Sequence, residues 1–314
     1  MKKAFTIIEL LTAVGLLAMV ITFAGLIFKV SIEGQRTASA NAEIMGKLRA
    51  ITDQLNVDFK GIRTDAPILI WFEQNPDDPN QRYDQIMFFA DGDFQSIQPY
   101  DGSPGEPADT GEPISGSVAR IHYGQAQPDP NLLARRQHIL TADPALALFD
   151  MSNFDENRNE RYEHDSLSLS QWQTVQAAEY DTPIIPTCFD YRPLVNTDDR
   201  LTYHKLICEG VGSFAIQCAY WDLVDDALRW YPSDDPDNDG DDSDTDFNSP
   251  SLGDIDIFGN YFNVPDATGP TTIDHWEPIS TFYPNALRFT FRLYDSRGVL
   301  KGGRRFTHIV YLGD

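Results

Sequence analysis

Cysteine is scarce, with only Cys188, Cys208 and Cys218 in 314 residues. Three thiols cannot staple a disulfide scaffold. They leave two readings open: one bridge with one free thiol in an oxidising compartment, or buried apolar side chains. No CxxC pair and no Cys/His zinc spacing occurs. Basic residues are also few, 24 against 48 acidic ones, and the net charge of −24 excludes general attraction to a nucleic-acid backbone. Arg304–Arg305 is a local basic pair, with no Lys/Arg cluster that stands out. The HExxH, GxSxG and P-loop signatures are missing. Gly210-Val211-Gly212-Ser213-Phe214-Ala215 fits GxGxxA, a fingerprint that must open a helix. Here Phe214, Ile216, Cys218 and Tyr220 alternate as a half-buried strand requires. The histidines are scattered, His204 and His308 falling within apparent strands, and no carboxylate pair stands out as acid and base. An enzyme is not expected.

What the chain does have is a long apolar opening. Met1-Lys2-Lys3-Ala4 leads into Phe5-Thr6-Ile7-Ile8-Glu9-Leu10-Leu11, and from Phe5 to Phe28 Glu9 is the only charge. At about 1.5 Å per residue this stretch reaches about 36 Å as a helix, enough to cross a hydrocarbon core of about 30 Å. It exceeds the 7–15 apolar residues typical of a secretory signal peptide. Lys2 and Lys3 place the N-terminal end in the cytoplasm, and the remainder outside. Glu9 fits poorly in an ordinary anchor, because an acid at mid-bilayer costs about 2.5–3.5 kcal/mol on insertion scales and less near an end. One alternative is that Glu9 snorkels to the headgroups.

Lys-Lys-Ala-Phe-Thr-Ile-Ile-Glu-Leu-Leu at residues 2–11 resembles the leader and mature start of type IV prepilins and type II secretion pseudopilins. The resemblance implies cleavage by a prepilin peptidase between Ala4 and Phe5, N-methylation of Phe5, and an assembly role for Glu9. The residue before the cut is usually Gly in that family; here it is Ala4, small enough for the same subsite. Glu9 lies about 6 Å along the helix from the freed amine, so a neighbouring subunit's cationic N-terminus could pair with it.

Beyond Lys29 the helix is expected to continue to about Phe59. Ile44, Leu48, Ile51, Leu55 and Phe59 mark one apolar face, and Gly61 is a stop. After it come short β-like runs at Ile68–Phe72, Gln85–Phe89, Val118–Tyr123, Leu201–Cys208, Phe214–Trp221, Ala286–Tyr294 and Arg305–Tyr311, and Ala227–Tyr231 is strand-like. Loops rich in Pro, Gly and Asp separate them, notably Pro99–Pro113 and Ser233–Pro250. The expected fold class is α+β, a long pilin-like helix packed on an antiparallel β-rich head. The expected divisions are a leader at 1–4, a membrane or filament-core helix at 5–28, an amphipathic stem at 29–61 and a head at 62–314. Gln54-Leu55-Asn56-Val57-Asp58-Phe59, Gly210-Val211-Gly212-Ser213-Phe214, Tyr220-Trp221-Asp222, Pro284-Asn285-Ala286-Leu287-Arg288-Phe289 and Asp295-Ser296-Arg297-Gly298 resemble the larger minor pseudopilins of the J type. The stretch 90–200 carries no such resemblance.

Ser233–Asp246 holds eight aspartates and no basic residue. Against the EF-hand loop, Asp235, Asp237 and Asp239 take positions 1, 3 and 5, Gly240 the sharp turn, Asp241 position 7, Ser243 position 9 and Asp246 position 12. Residues 234–246 are therefore a candidate calcium loop, the alternative being a solvated acidic linker. Asp91-Gly92-Asp93 and Asp254-Ile255-Asp256 read as turns. The expected function is a minor pilin or pseudopilin of the bacterial inner membrane, its head periplasmic. Its implied partners are other such subunits, the prepilin peptidase and an inner-membrane assembly platform. A calcium-dependent adhesive or ligand-binding head on the same anchor is the alternative.

Overall fold

A computed structural model describes residues 6–66, 68–73, 75, 81–100, 112–127, 129–140, 163–165, 192–193, 195–196, 200–222, 227–232, 255–258 and 283–312. Its first element is α1, Ile7–Lys60, an unbroken helix of 54 residues. No proline interrupts it, and Thr6 caps it with Glu9 as the reciprocal partner of a capping box. Gly61 ends it, its N–H reaching back to the carbonyls of Asp58 and Phe59. A side chain is not accommodated there, since a Cβ on Gly61 would lie 2.0 Å from the Asp91 carbonyl oxygen.

The strands are β1 Ile68–Trp71, β2 Gln85–Tyr100, β3 Glu112–Gln125, β4 Leu132–Leu140, β5 His164–Asp165, β6 Leu206–Glu209, β7 Val211–Asp222, β8 Ala227–Tyr231, β9 Ile255–Phe258, β10 Ala286–Leu293 and β11 Arg304–Tyr311. A short helix α2, Arg200–Tyr203, precedes β6. Among the described residues they form two sheets. One has the order β5-β4-β3-β2-β1-β9, with β6 also on β4; the other runs β11-β10-β7-β8. All pairings are antiparallel except β4 with β5. The fold is α+β.

The sheets are joined at Arg82–Asp84, whose backbone exchanges hydrogen bonds with Phe214 at 2.7 and 2.9 Å. The apolar stripe of α1 closes the core between them. Ile44, Ile51, Leu55 and Phe59 are buried in one cluster with Phe88 and Ile121 of the first sheet and Phe214, Phe289 and Phe291 of the second. Phe59 touches both sides, with ring centroids 4.1 Å from Phe88 and 5.4 Å from Phe289. The stripe read from the sequence is the face that packs.

Several local expectations are corrected. Leu201–Cys208 is not one strand. Thr202 Oγ1 bonds the backbone of Asn196 at 2.9 and 3.1 Å, winding α2, and pairing with β4 starts only at Leu206. His204 therefore lies in a turn, while His308 does lie in β11. Asp91–Asp93 is not a free turn but a register shift inside β2, where Asp91 answers Arg63 at 2.8 Å. Asp256 is no turn residue either; it pairs with Ile70 across β1 and β9. Both ends of the Pro99–Pro113 stretch are strand, Pro99 facing Pro113. β7 is buried on both faces, Ala215, Gln217 and Ala219 included, because Gln217 donates to the Pro232 carbonyl at 2.7 Å and accepts from Arg288 at 2.6 Å.

Candidate assembly and membrane helix

The first half of α1 has nothing packed on it. From Thr6 to Ser39 every residue is exposed except the half-exposed Ala24, and the first buried position is Ala40. At about 1.5 Å per residue, this unpartnered arm extends about 50 Å from the head. Ile7, Leu11, Val14, Leu17, Phe23 and Phe28 are all more than half exposed, far more apolar surface than a soluble surface helix presents. α1 is the one helix among the described residues long and apolar enough to cross a membrane.

Glu9 sits in the first turn of this arm. Its Oε2 accepts from the Thr6 N–H at 2.9 Å and from the Thr6 hydroxyl at 3.0 Å, while Thr6 Oγ1 accepts from the Glu9 N–H at 3.4 Å. Oε1 takes no hydrogen bond from any described residue, so half of the carboxylate faces outward unanswered. The role of Thr6 emerges only here, although T-x-x-E ahead of an apolar run is the sequence form of a capping box. Ala4 and Phe5 lie outside the described residues. So do Asp235, Asp237, Asp239, Asp241, Ser243 and Asp246 of the calcium-loop candidate.

The C-terminal half of the helix is tied to the head by polar contacts that rank in order along its length. Glu43 accepts from the Ser296 N–H at 2.8 Å and hydroxyl at 3.0 Å, and Lys47 donates to the Tyr294 carbonyl at 2.8 Å. Asn56 meets His308 at 2.9 Å. Near the end, Asp58 is buried and accepts from Arg135 at 2.6 and 2.9 Å, with the Tyr123 hydroxyl as a further donor. Burial and the Asp58 charge push the Tyr123 phenol well above its ordinary range, so it remains a donor. Cys208 is a buried free thiol pushed up to about 12 by burial, and Cys218 is buried in the core; Cys188 lies outside the described residues. Gly210, at φ 75°, opens β7 and no helix, so the GxGxxA stretch lacks the geometry of a dinucleotide turn.

No protein-family model, curated protein or solved structure matches the chain.

Proposed function

We propose that the chain is a minor pilin or pseudopilin subunit, nearest in kind to the large J-type minor pseudopilins, built to move from a membrane into a filament. The observation that carries this reading is the exposed arm of α1, whose apolar stretch up to Phe28 is interrupted by a single carboxylate one turn from its start. Such an arm is stable only in lipid or against other apolar helices. In lipid, Glu9 is tolerable near an end, where its carboxylate is half satisfied by Thr6. In a bundle of identical helices, a neighbour's N-terminal amine would supply the missing partner at Oε1 and offset the burial cost. The pair would set one register between subunits, because no other charge lies in the apolar stretch up to Phe28.

In this reading the prepilin peptidase cuts between Ala4 and Phe5, Phe5 is N-methylated, and the head stands in the periplasm. An assembly platform then extracts the helix from the inner membrane. The rigid passage from arm to head matters mechanically. An unbroken helix locked to both sheets by Phe59 transmits an axial push or pull without a hinge.

Mass spectrometry of the mature N-terminus tests the assignment, a methylated Phe5 being the expected result. An intact Met1, or a cut after Phe28, would remove it. Glu9→Gln is expected to leave membrane insertion intact and to lower incorporation into filaments at least ten-fold. Unchanged incorporation would show that the pairing is wrong.

A further inference from the structure

The β10–β11 hairpin carries a charge opposite to that of the rest of the protein. Between Ala286 and Leu312 there are six basic side chains, Arg288, Arg292, Arg297, Lys301, Arg304 and Arg305, against the single acid Asp295, a net of +5 in a chain of net −24. Along the chain only the Arg304–Arg305 pair is visible, because the hairpin turn separates its neighbours. Folding brings them together: Arg292 is opposite Arg305 in the register, and Leu293 is opposite Arg304.

Two acids close by, Asp295 and Glu43, are already engaged. Asp295 accepts from the N–H groups of Val299 and Leu300, both at 2.9 Å, closing the turn. Glu43 is held by Lys47 at 2.9 Å and by Ser296. Arg297, Lys301, Arg304 and Arg305 are all exposed, and none forms an ion pair with a described residue.

The orientation of the hairpin gives this charge a direction. Tyr283, ahead of β10, contacts Arg63 just past the top of α1; His308 meets Asn56; Tyr294 meets Lys47; Ser296 meets Glu43. The hairpin thus runs back down the helix, and its closed end points at the apolar arm. The apolar stretch of that arm ends at Phe28, with Lys29 next. Fifteen residues separate Phe28 from Glu43, about 22 Å along the axis. The headgroup layer takes up about 6 Å of this, and the turn continues beyond Ser296 toward it. The remaining gap of about 16 Å is about two Debye lengths at physiological salt, so contact requires the turn beyond Ser296 and its long Arg and Lys side chains to span it.

We propose that the β10–β11 turn is a second membrane contact, in which Arg297, Lys301, Arg304 and Arg305 engage anionic phospholipid headgroups of the bilayer that α1 enters. This rests on the membrane reading of α1. The contact would hold the head close to the surface and fix its tilt, while the acidic remainder is repelled from the same lipids. Salt would weaken it, so head docking and helix anchoring are separable.

The test uses the full-length protein in vesicles of phosphatidylcholine alone or with 30% phosphatidylglycerol. Gly302 has no unusual φ, and an added Cβ there would meet nothing within 4 Å, so Gly302→p-benzoylphenylalanine can carry a photo-crosslinker. Lipid adducts are expected to be at least five-fold more abundant in the anionic vesicles. They should fall to the neutral level in 0.5 M salt, and in a variant carrying Arg297→Glu, Lys301→Glu, Arg304→Glu and Arg305→Glu. Carbonate extraction of the same samples reports whether α1 is inserted. Insertion with equal adducts in both vesicles overturns the lipid contact alone. Adducts mainly to a second copy, independent of lipid, overturn it in favour of a protein interface. Loss of α1 on extraction overturns the membrane reading and this inference with it. The salt arm needs no variant, so it stands even where the quadruple substitution impairs folding.

Discussion

Asp58, in the last turn of α1, accepts two hydrogen bonds from Arg135 in the middle of β4, at 2.6 and 2.9 Å. The two residues are 77 positions apart, and the pair is enclosed, with the Asp58 side chain 2% exposed and that of Arg135 16% exposed. It bolts the upper end of the stem to the larger sheet. Asp58→Ala is expected to cost about 3–5 kcal/mol, because Arg135 would remain buried without its counter-charge. Combining Asp58→Leu with Arg135→Met should recover most of that loss. Urea titration in detergent measures both. A single variant as stable as the parent would show that the pair holds nothing.

Phe59 bridges the sheets by packing on Phe88 and Phe289. Phe59→Ala is expected to lose about 3–5 kcal/mol through the lost transfer energy and the cavity left behind. Val57, two positions away and 68% exposed, serves as the control. Val57→Ala should stay within about 0.5 kcal/mol of the parent. Similar losses at both positions would mean that the stem stripe does not close the core.

Two glycines of the stem should respond in opposite directions. Gly46 lies within α1 with nothing within 4 Å of an added Cβ, so Gly46→Ala is expected to stabilise by about 0.5–1 kcal/mol. Gly61 stands 2.0 Å from the Asp91 carbonyl by the same measure, so Gly61→Ala forces backbone apart at a cost of about 1–3 kcal/mol. Thermal melts of the two variants should bracket the parent. Equal shifts would be inconsistent with the helix ending against β2.

Asp84 gives a pH dependence with a definite sign. Burial raises its carboxyl from 3.8 to about 6, while the charge of Arg82 and the N–H groups of Ile216 and Glu73 pull the other way. Between about pH 4 and 6 the folded chain holds a proton that the unfolded chain has released. The contribution of this group is therefore greatest below the unfolded value and declines as pH rises through 6. Relative to Asp84→Asn, the parent should lose up to about 3 kcal/mol from pH 4 to 7. A difference that stays constant across that range would contradict the assignment.

The acidic loop at 234–246 makes a separate prediction. If it binds calcium, a chelator should lower the melting temperature of the parent, and Asp239→Ala should erase the difference. Identical melting with and without chelator rejects the site.

The chain's residues alone specify the long apolar helix, its buried stripe from Ile44 to Phe59, its stop at Gly61 and several of the strands after it. These are local signals: period, run length and a breaker, each complete within a few turns of chain. Glu9 is legible for the same reason, as one charge in an apolar stretch.

Other features of the fold depend on partners far apart in sequence. β4 is not legible in the chain, because Arg135-Arg136 in its centre reads as surface; Arg135 is instead drawn inward by Asp58. β9 is hidden because Asp256 resembles a turn residue until β1 supplies its ladder. The basic closed end of the β10–β11 hairpin, and the fact that it points along α1 toward the arm, likewise emerge only once Glu43, Lys47 and Asn56 have fixed its position. Charge can be counted along a chain, but a field acts through space, and folding sets the distances.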